Sequence, residues 1–236
     1  MANSPKNHER HPHPTLLSDF ILGSQDGLVN VLGIVLGVSA ATSNVWILFV
    51  AALAALFAES ISMGAVAYTS TQARRNFYLN QVEQEREEMR NVPDTERQEV
   101  RDIVVGWGYR GSTAKKLTDI ICSNPKAWLE VMMAFELHIS PVEKSAPLRS
   151  FIIVLCSTVF GSSIPLIPFL FFQNSVSNGV IGAVVLSAIV LFIIGYYEAK
   201  QTVGSLWRSG LRMLVIGLAA GFAGYLIGHF LGAKAF

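Results

Sequence analysis

Four stretches of this chain, residues 45–68, 151–172, 180–197 and 211–230, are each apolar over about the length that a helix needs to cross a bilayer. A crossing takes roughly 20 residues, because a helix rises about 1.5 Å per residue through about 30 Å of hydrocarbon. A fifth block lies nearer the N-terminus, and its apolar part, residues 28–41, has 14 residues. That is too few to span, so the helix must begin near Asp19 or Leu22, which places Gln25 and Asp26 inside it. The chain is 51% hydrophobic and 15% charged, with mean hydropathy +0.43, whereas soluble domains carry about 25% charged residues. These observations predict an all-α membrane protein with five transmembrane helices at about 20–42, 45–70, 150–172, 179–198 and 210–231.

The charges define the remaining organisation. Residues 1–18 form a polar tail bearing His8, His11 and His13, without the apolar run of a signal peptide. Residues 19–73 hold the first two helices, 74–149 a helical domain between the second and third, and 150–236 the last three. Segment 74–149 carries twelve Lys and Arg residues, and 17 of the chain's 18 share one side with it if there are five spans; only Lys234 lies across. The positive-inside rule makes that side cytoplasmic, N-terminus included. A net charge of +1 gives no basic surplus for nucleic acid. Cys122 and Cys156 lie in unlike segments, so no disulfide is expected.

Small residues show where helices can approach closely. Gly33-x-x-x-Gly37 lies in the first helix, and Gly217-x-x-x-Gly221 and Gly224-x-x-x-Gly228 in the fifth. The spacing serves either packing within one chain or a two-fold contact between first helices, and a contact at Gly33–Gly37 is the expectation. Pro165 and Pro168 must kink or unwind the third span.

The soluble segment opens with an acidic block, QEREEMRNVPDTERQEV, residues 84–100. Thr95 with Gln98 reads as a capping box for a helix that starts just after Pro93-Asp94 and ends at Gly106 and Gly108. Asn124 before Pro125 reads as the cap of another helix, over about 125–138. Residues three or four apart share a helix face. Glu85 pairs in this way with Glu88, Glu96 with Glu99, and Glu136 with Met132 and Met133. A solvated face of Glu–Arg pairs is one explanation, since Arg86, Arg90, Arg97 and Arg101 are interleaved. In a hairpin, however, the glutamate pairs would face each other and repel unless a cation lay between them. A mixed Glu and Met set suits a borderline first-row ion such as Fe2+ over Ca2+, and lacks the Cys and His of a structural zinc site. Protons would displace such an ion near the ordinary carboxylate range, about pH 4–5.

Within the membrane, Asp26 and Glu59 are ionisable groups whose burial costs at least about 2.5–3.5 kcal/mol on insertion scales, which marks an ion or proton route. Glu59 and Met63 are four apart and share a face.

Several of these residues resemble one family. Gln25-Asp26-Gly27-Leu28, Ala58-Glu-Ser-Ile-Ser-Met-Gly64, Glu85, Glu88, Val92-Pro-Asp-Thr-Glu96, Glu99 and Trp128-Leu-Glu-Val-Met-Met-Ala-Phe-Glu-Leu137 are similar to the signature elements of the vacuolar iron transporter family. That family includes fungal vacuolar iron and manganese importers. The resemblance runs from about Asp19 to Phe172 and more loosely to the end. It implies a homodimer that exchanges cytosolic Fe2+ for protons along a path between subunits, with no prosthetic group and with Mn2+, Co2+ or Zn2+ as further ions. The implied cytoplasmic site is Glu85, Glu88, Glu96, Glu99, Met132, Met133 and Glu136. The implied pathway is Asp26 and Met63, with Asp19 at the cytoplasmic mouth. Where some members carry an acid two turns before the methionine, this chain has Ala55, and its acid is Glu59, one turn before. The implied location is the vacuolar membrane in a eukaryotic cell and the plasma membrane in a prokaryotic one. The rival readings are a transporter chiefly for Mn2+, a membrane-anchored carboxylate di-iron enzyme, and a scaffold that transports nothing. The enzyme reading lacks its Glu-x-x-His motifs, since residues 74–137 contain no histidine.

Overall fold

A computed structural model describes residues 14–201 and 204–232, so the histidine-bearing tail lies outside the described residues. The described residues are helical almost throughout, with no strand among them. Five helices are long and apolar enough to cross a membrane: Leu16–Ala41, Val45–Asn91, Ala146–Phe171, Val176–Gln201 and Leu206–Leu231. The chain is an integral membrane protein. It divides into two compact units, one comprising the chain up to Tyr68 with everything from Leu148 onward, the other Thr69–Pro147.

The first unit is arranged around α1, Pro14–Ala41. The helix has a small-residue face at each end of its length. Gly23 and Gly27 lie against α6, Ala146–Ser163, so closely that a Cβ at Gly27 would stand 2.5 Å from both Ser162 Oγ and the Thr158 carbonyl oxygen. Farther along, Gly33 and Gly37 meet Gly224 and Gly228 of α9, Leu206–Gly232. A Cβ at Gly224 would stand 2.5 Å from the Gly33 carbonyl oxygen. Of the two uses that the spacing allowed, the Gly33–Gly37 face serves packing within the chain. Backbones that touch in this way gain dispersion contacts and helix–helix complementarity that lipid does not supply.

Between these seams lies an apolar core. Val31, Leu32 and Val35 of α1 pack with Leu48, Ala52 and Leu56 of α2, Val45–Asn91, and with Ala183 of α8, Val176–Gln201. Leu166 and Phe169 complete the cluster from the broken third span. There α6 gives way to a 3-10 turn, Ile164–Leu166, and then to α7, Ile167–Phe171. Pro165 and Pro168 lack the N–H groups that an unbroken helix would use, so the break falls where the prolines place it. Large apolar side chains on the outer faces, such as Trp46, Phe57, Ile181 and Ile227, are exposed, as lipid-facing residues are.

In the second unit, α2 runs on to Asn91 and a single residue, Val92, turns the chain into α3, Pro93–Gly106. The capping box at Thr95 does not form. The helix starts at Pro93 itself, with Val92 as N-cap and no side-chain cap, because proline's fixed φ and missing N–H suit the first helical position. Gly108 and Gly111 adopt φ of +96° and +59° and turn the chain into α4, Gly111–Cys122. Asn124 caps α5, Pro125–Val131, by accepting from the Lys126 and Ala127 N–H groups, as its sequence predicts. The single helix expected over 125–138 is not continuous: after Val131 the chain widens into a π-turn, Met132–Glu136. Val100, Val104, Ala114, Cys122, Trp128 and Met132 form this unit's core.

The glycine seam gives a test. Gly224→Val should destabilise the detergent-solubilised protein by about 1–3 kcal/mol, the usual cost of overpacking. Gly106→Ala, at a helical position with nothing within 4 Å, should leave the thermal midpoint unchanged or raise it. Equal midpoints for the two variants would mean that the α1–α9 contact is not close-packed.

Candidate metal centre and membrane carboxylates

Three of the predicted glutamates converge within the second unit. One carboxylate oxygen each of Glu85, Glu96 and Glu136 lie within 4.8 Å of one another. The one-residue turn at Val92 folds α3 back along α2, which brings Glu85 and Glu96 together. Both are buried, 3% and 4% exposed. Glu136, which is exposed, arrives from the π-turn. The wider turn replaces α-helical hydrogen bonds with longer loops, Leu137 N–H to Met132 O at 3.1 Å and Ile139 N–H to Met133 O at 2.9 Å. Turns of this kind re-aim side chains and recur at functional sites. Trp107, just past α3, stacks edge-on against Phe135 at 4.9 Å and holds the turn to α3.

The electrostatics of the cluster are unfavourable without a cation. Burial is the largest cause that raises the carboxyls of Glu85 and Glu96, and the two groups share a hydrogen bond that requires a proton between them. Glu96 is pushed up to about 8. Glu136 is pushed up to about 7 by burial and then by the charges of Glu99, Glu96 and Glu88. Glu85 Oε1 and Glu96 Oε2 are buried with no hydrogen-bond partner among the described residues. Buried acceptors left in this way cost free energy, and a divalent cation would satisfy them.

The other predicted ligands stand differently. Glu88 and Glu99 are half-buried, near enough to add their charges to the cluster but outside the three converging oxygens. Glu88 accepts a hydrogen bond from Gln84 Nε2 at 3.0 Å. Met132 is packed into the apolar core with Val100, one turn along α3 from Glu96, and Met133 is buried beside it. The interleaved arginines do not neutralise the three converging carboxylates. Arg86 and Arg90 approach Glu83, and Arg97 pairs with Asp119 at 2.6 Å.

The first unit holds a second polar group. Asp26 and Asn30, one turn apart on α1, face Glu59 on α2. Asn30 Nδ2 donates to Glu59 Oε1, and the Asp26 carboxyl lies alongside. Glu59 Oε2 is buried without a partner among the described residues. Met63 follows Glu59 by one turn and is half-buried. Asp19 accepts a hydrogen bond from Ser150 Oγ at 2.6 Å. Sequence reasoning did not single out Asn30, although an amide one turn after Asp26 in an apolar helix was a signal.

A sequence model described as the VIT family matches residues 17–229, which takes in all five spans and the unit between them. The chain belongs to the VIT family. Curated relatives carry the same assignment in their names. Vacuolar iron transporter 1 of Arabidopsis thaliana is 30% identical over 224 residues, 94% of this chain and 89% of its own. Vacuolar iron transporter 2 of Oryza sativa is 31% identical over 210 residues, 89% of this chain and 85% of its own. The vacuolar iron transporter of Plasmodium berghei is 31% identical over 220 residues, 90% and 81% respectively. These are names of transporters and not of enzymes, so the VIT assignment replaces the di-iron enzyme reading.

For this VIT protein the raised carboxyls fix the sign of a pH effect. Without metal, the folded state binds more protons than the unfolded chain between the ordinary carboxylate value, about 4.5, and about 8. Its stability should therefore fall as pH rises through that window. Metal competes with the same protons, so its stabilising effect should grow over that window, well above the pH 4–5 expected of ordinary carboxylates. Urea unfolding followed by tryptophan fluorescence, with and without Co2+ at pH 6 and pH 8, checks this. Co2+ should stabilise more at pH 8, and Glu96→Gln should lower its affinity by about tenfold or more.

Proposed function

We propose that this protein moves divalent first-row metal ions, Fe2+ and with it Mn2+, out of the cytosol in exchange for protons. The observation that carries the reading is the convergence of Glu85, Glu96 and the exposed Glu136, the first two with a buried, unsatisfied oxygen each, in a chain whose relatives are named iron transporters. In this reading the 74–149 domain and the N-terminus face the cytosol. The glutamate cluster, with Glu88, Glu99 and the thioethers of Met132 and Met133, gathers the ion. Asp26, Glu59 and Met63 carry it across, with Asp19 at the cytosolic mouth. The protein works as a homodimer in a lipid bilayer, with the path between first and second helices of two subunits. Names of the relatives support a vacuolar membrane where the cell has one.

The chemistry follows from the groups. A carboxylate at membrane depth is costly unless it meets a cation, a proton or a polar partner. An exchanger uses that cost: the group binds metal in one step and a proton in the next, and is never left bare. Burial and mutual repulsion in the cytosolic cluster hold protons near neutral pH, so metal arrives by displacing them.

Uptake of Fe2+, Mn2+ and Zn2+ by the purified protein in liposomes, with a pH dye inside, tests this. Asp26→Asn keeps the shape and removes the charge, so it should abolish metal uptake and proton flux together while the protein stays folded and dimeric. Met63→Leu keeps the volume and removes the sulfur, so it should slow Fe2+ and Co2+ more than Mn2+, the harder ion. Wild-type rates in Asp26→Asn would remove that residue from the path. Uptake of Mn2+ far above Fe2+ by the wild type would make Mn2+ the chief substrate.

A further inference from the structure

Asn30 lies in an apolar helix with its amide turned to a carboxylate on another helix. The contact uses one oxygen of Glu59 and leaves the other, Oε2, buried and unpartnered among the described residues. An amide also bridges less than an arginine or lysine would, because it orients the carboxylate without cancelling its charge. Asn30 further lines a groove of about 460 Å³ between α1 and α9, beside Gly33 and Gly224, so its stem has room and is not wedged in place by packing.

We propose that Asn30 is a specificity-determining residue that holds Glu59 to a single free oxygen and so keeps Ca2+ from the membrane path. This rests on the reading of Glu59 as part of that path. Ca2+ takes six to eight oxygens at about 2.3–2.6 Å and often gathers both oxygens of one carboxylate. A helix-lined membrane site has few oxygens to give. An amide on one oxygen fixes the plane of the carboxylate and presents the other oxygen to the ion, so binding through both oxygens would cost that hydrogen bond, and Ca2+ loses most by it. A smaller first-row ion completes its coordination with fewer ligands and accepts nitrogen and sulfur as well, so it loses less. Removing the amide frees Glu59 to bind through both oxygens, which benefits Ca2+ most. Asn30 itself is a positioning residue, because its one polar contact goes to Glu59 and not to the ion.

The test is Co2+ uptake by the full-length protein in liposomes, with Ca2+ as competitor. Wild-type uptake should be insensitive to excess Ca2+. In Asn30→Ala the Ca2+ concentration that halves uptake should fall by about tenfold, in line with the loss of one hydrogen bond to a charged group. Asn30→Gln keeps the amide donor on a longer stem and should restore most of the wild-type insensitivity to Ca2+, which a loss of packing alone would not do. Asn30→Leu keeps the side-chain volume without the donor and should behave as Asn30→Ala does. Unchanged Ca2+ sensitivity in Asn30→Ala and Asn30→Leu overturns the proposal, and so does an Asn30→Gln protein as sensitive to Ca2+ as Asn30→Ala. If neither Asn30→Ala nor Asn30→Leu assembles, Asn30 is a fold residue and the proposal is overturned as well. A wild-type protein that takes up no metal sinks the transport reading itself, which is a different result from wild-type uptake with indifferent Asn30 variants.

Discussion

Carboxylates gathered away from water repel one another, and much of the polar architecture of this protein is an answer to that repulsion. In the Thr69–Pro147 unit, burial raises the carboxyls of Glu85 and Glu96, which hydrogen-bond to each other, and Glu136 joins them with its own carboxyl pushed up to about 7. In the membrane unit, Glu59 is held by an amide beside Asp26. The arginines interleaved with the first group do not pair with its carboxylates: Arg86 and Arg90 approach Glu83, and Arg97 pairs with Asp119. Such pairing would make the sites stable and inert. Protons and amides leave the carboxylates available for a divalent ion, and that is the property that a transporter of such ions needs.

Holding these groups in place falls to contacts that carry no charge. In the membrane unit, glycines on two faces of α1 let α6 and α9 approach to backbone contact, which fixes the rotation of α1 and hence the direction of Asp26 and Asn30. In the other unit a one-residue turn and a π-turn do the same work. Val92 sets how α3 returns along α2, and the widened turn after Val131 delivers Glu136. A proline at the first helical position and an aromatic pair, Trp107 with Phe135, stabilise those two irregularities. The site is thus specified by its turns more than by its helices.

This explains which parts were legible in the sequence. Length and hydropathy predict five spans, and each lies on a long helix, because bilayer thickness leaves little freedom. The cap at Asn124-Pro125 and the break at Pro165 were readable, since each rests on one residue's covalent geometry. The capping box at Thr95 was misread because the adjacent Pro93 offered a better first position. The π-turn was invisible, because no residue type in Met132–Glu136 favours it; the packing of Phe135 on Trp107 accompanies it. The Gly33–Gly37 seam was seen but its partner was not, since spacing alone does not say whether the second helix belongs to the same chain. The contacts of Gly23–Gly27 and Asn30 were not legible, because their partners lie on α6 and α2 and tertiary packing alone brings them together.

On the function proposed, metal enters the Glu85–Glu96–Glu136 cluster by displacing protons which burial and repulsion hold there near neutral pH. Calorimetry of Co2+ binding to the full-length protein at pH 7, repeated in buffers of different ionisation enthalpy, counts the protons released per ion. With Glu96 raised to about 8 and Glu136 to about 7, the account predicts release of about one proton or more per ion bound. Tight binding with no proton release would show that the carboxylates were already ionised, and would contradict it.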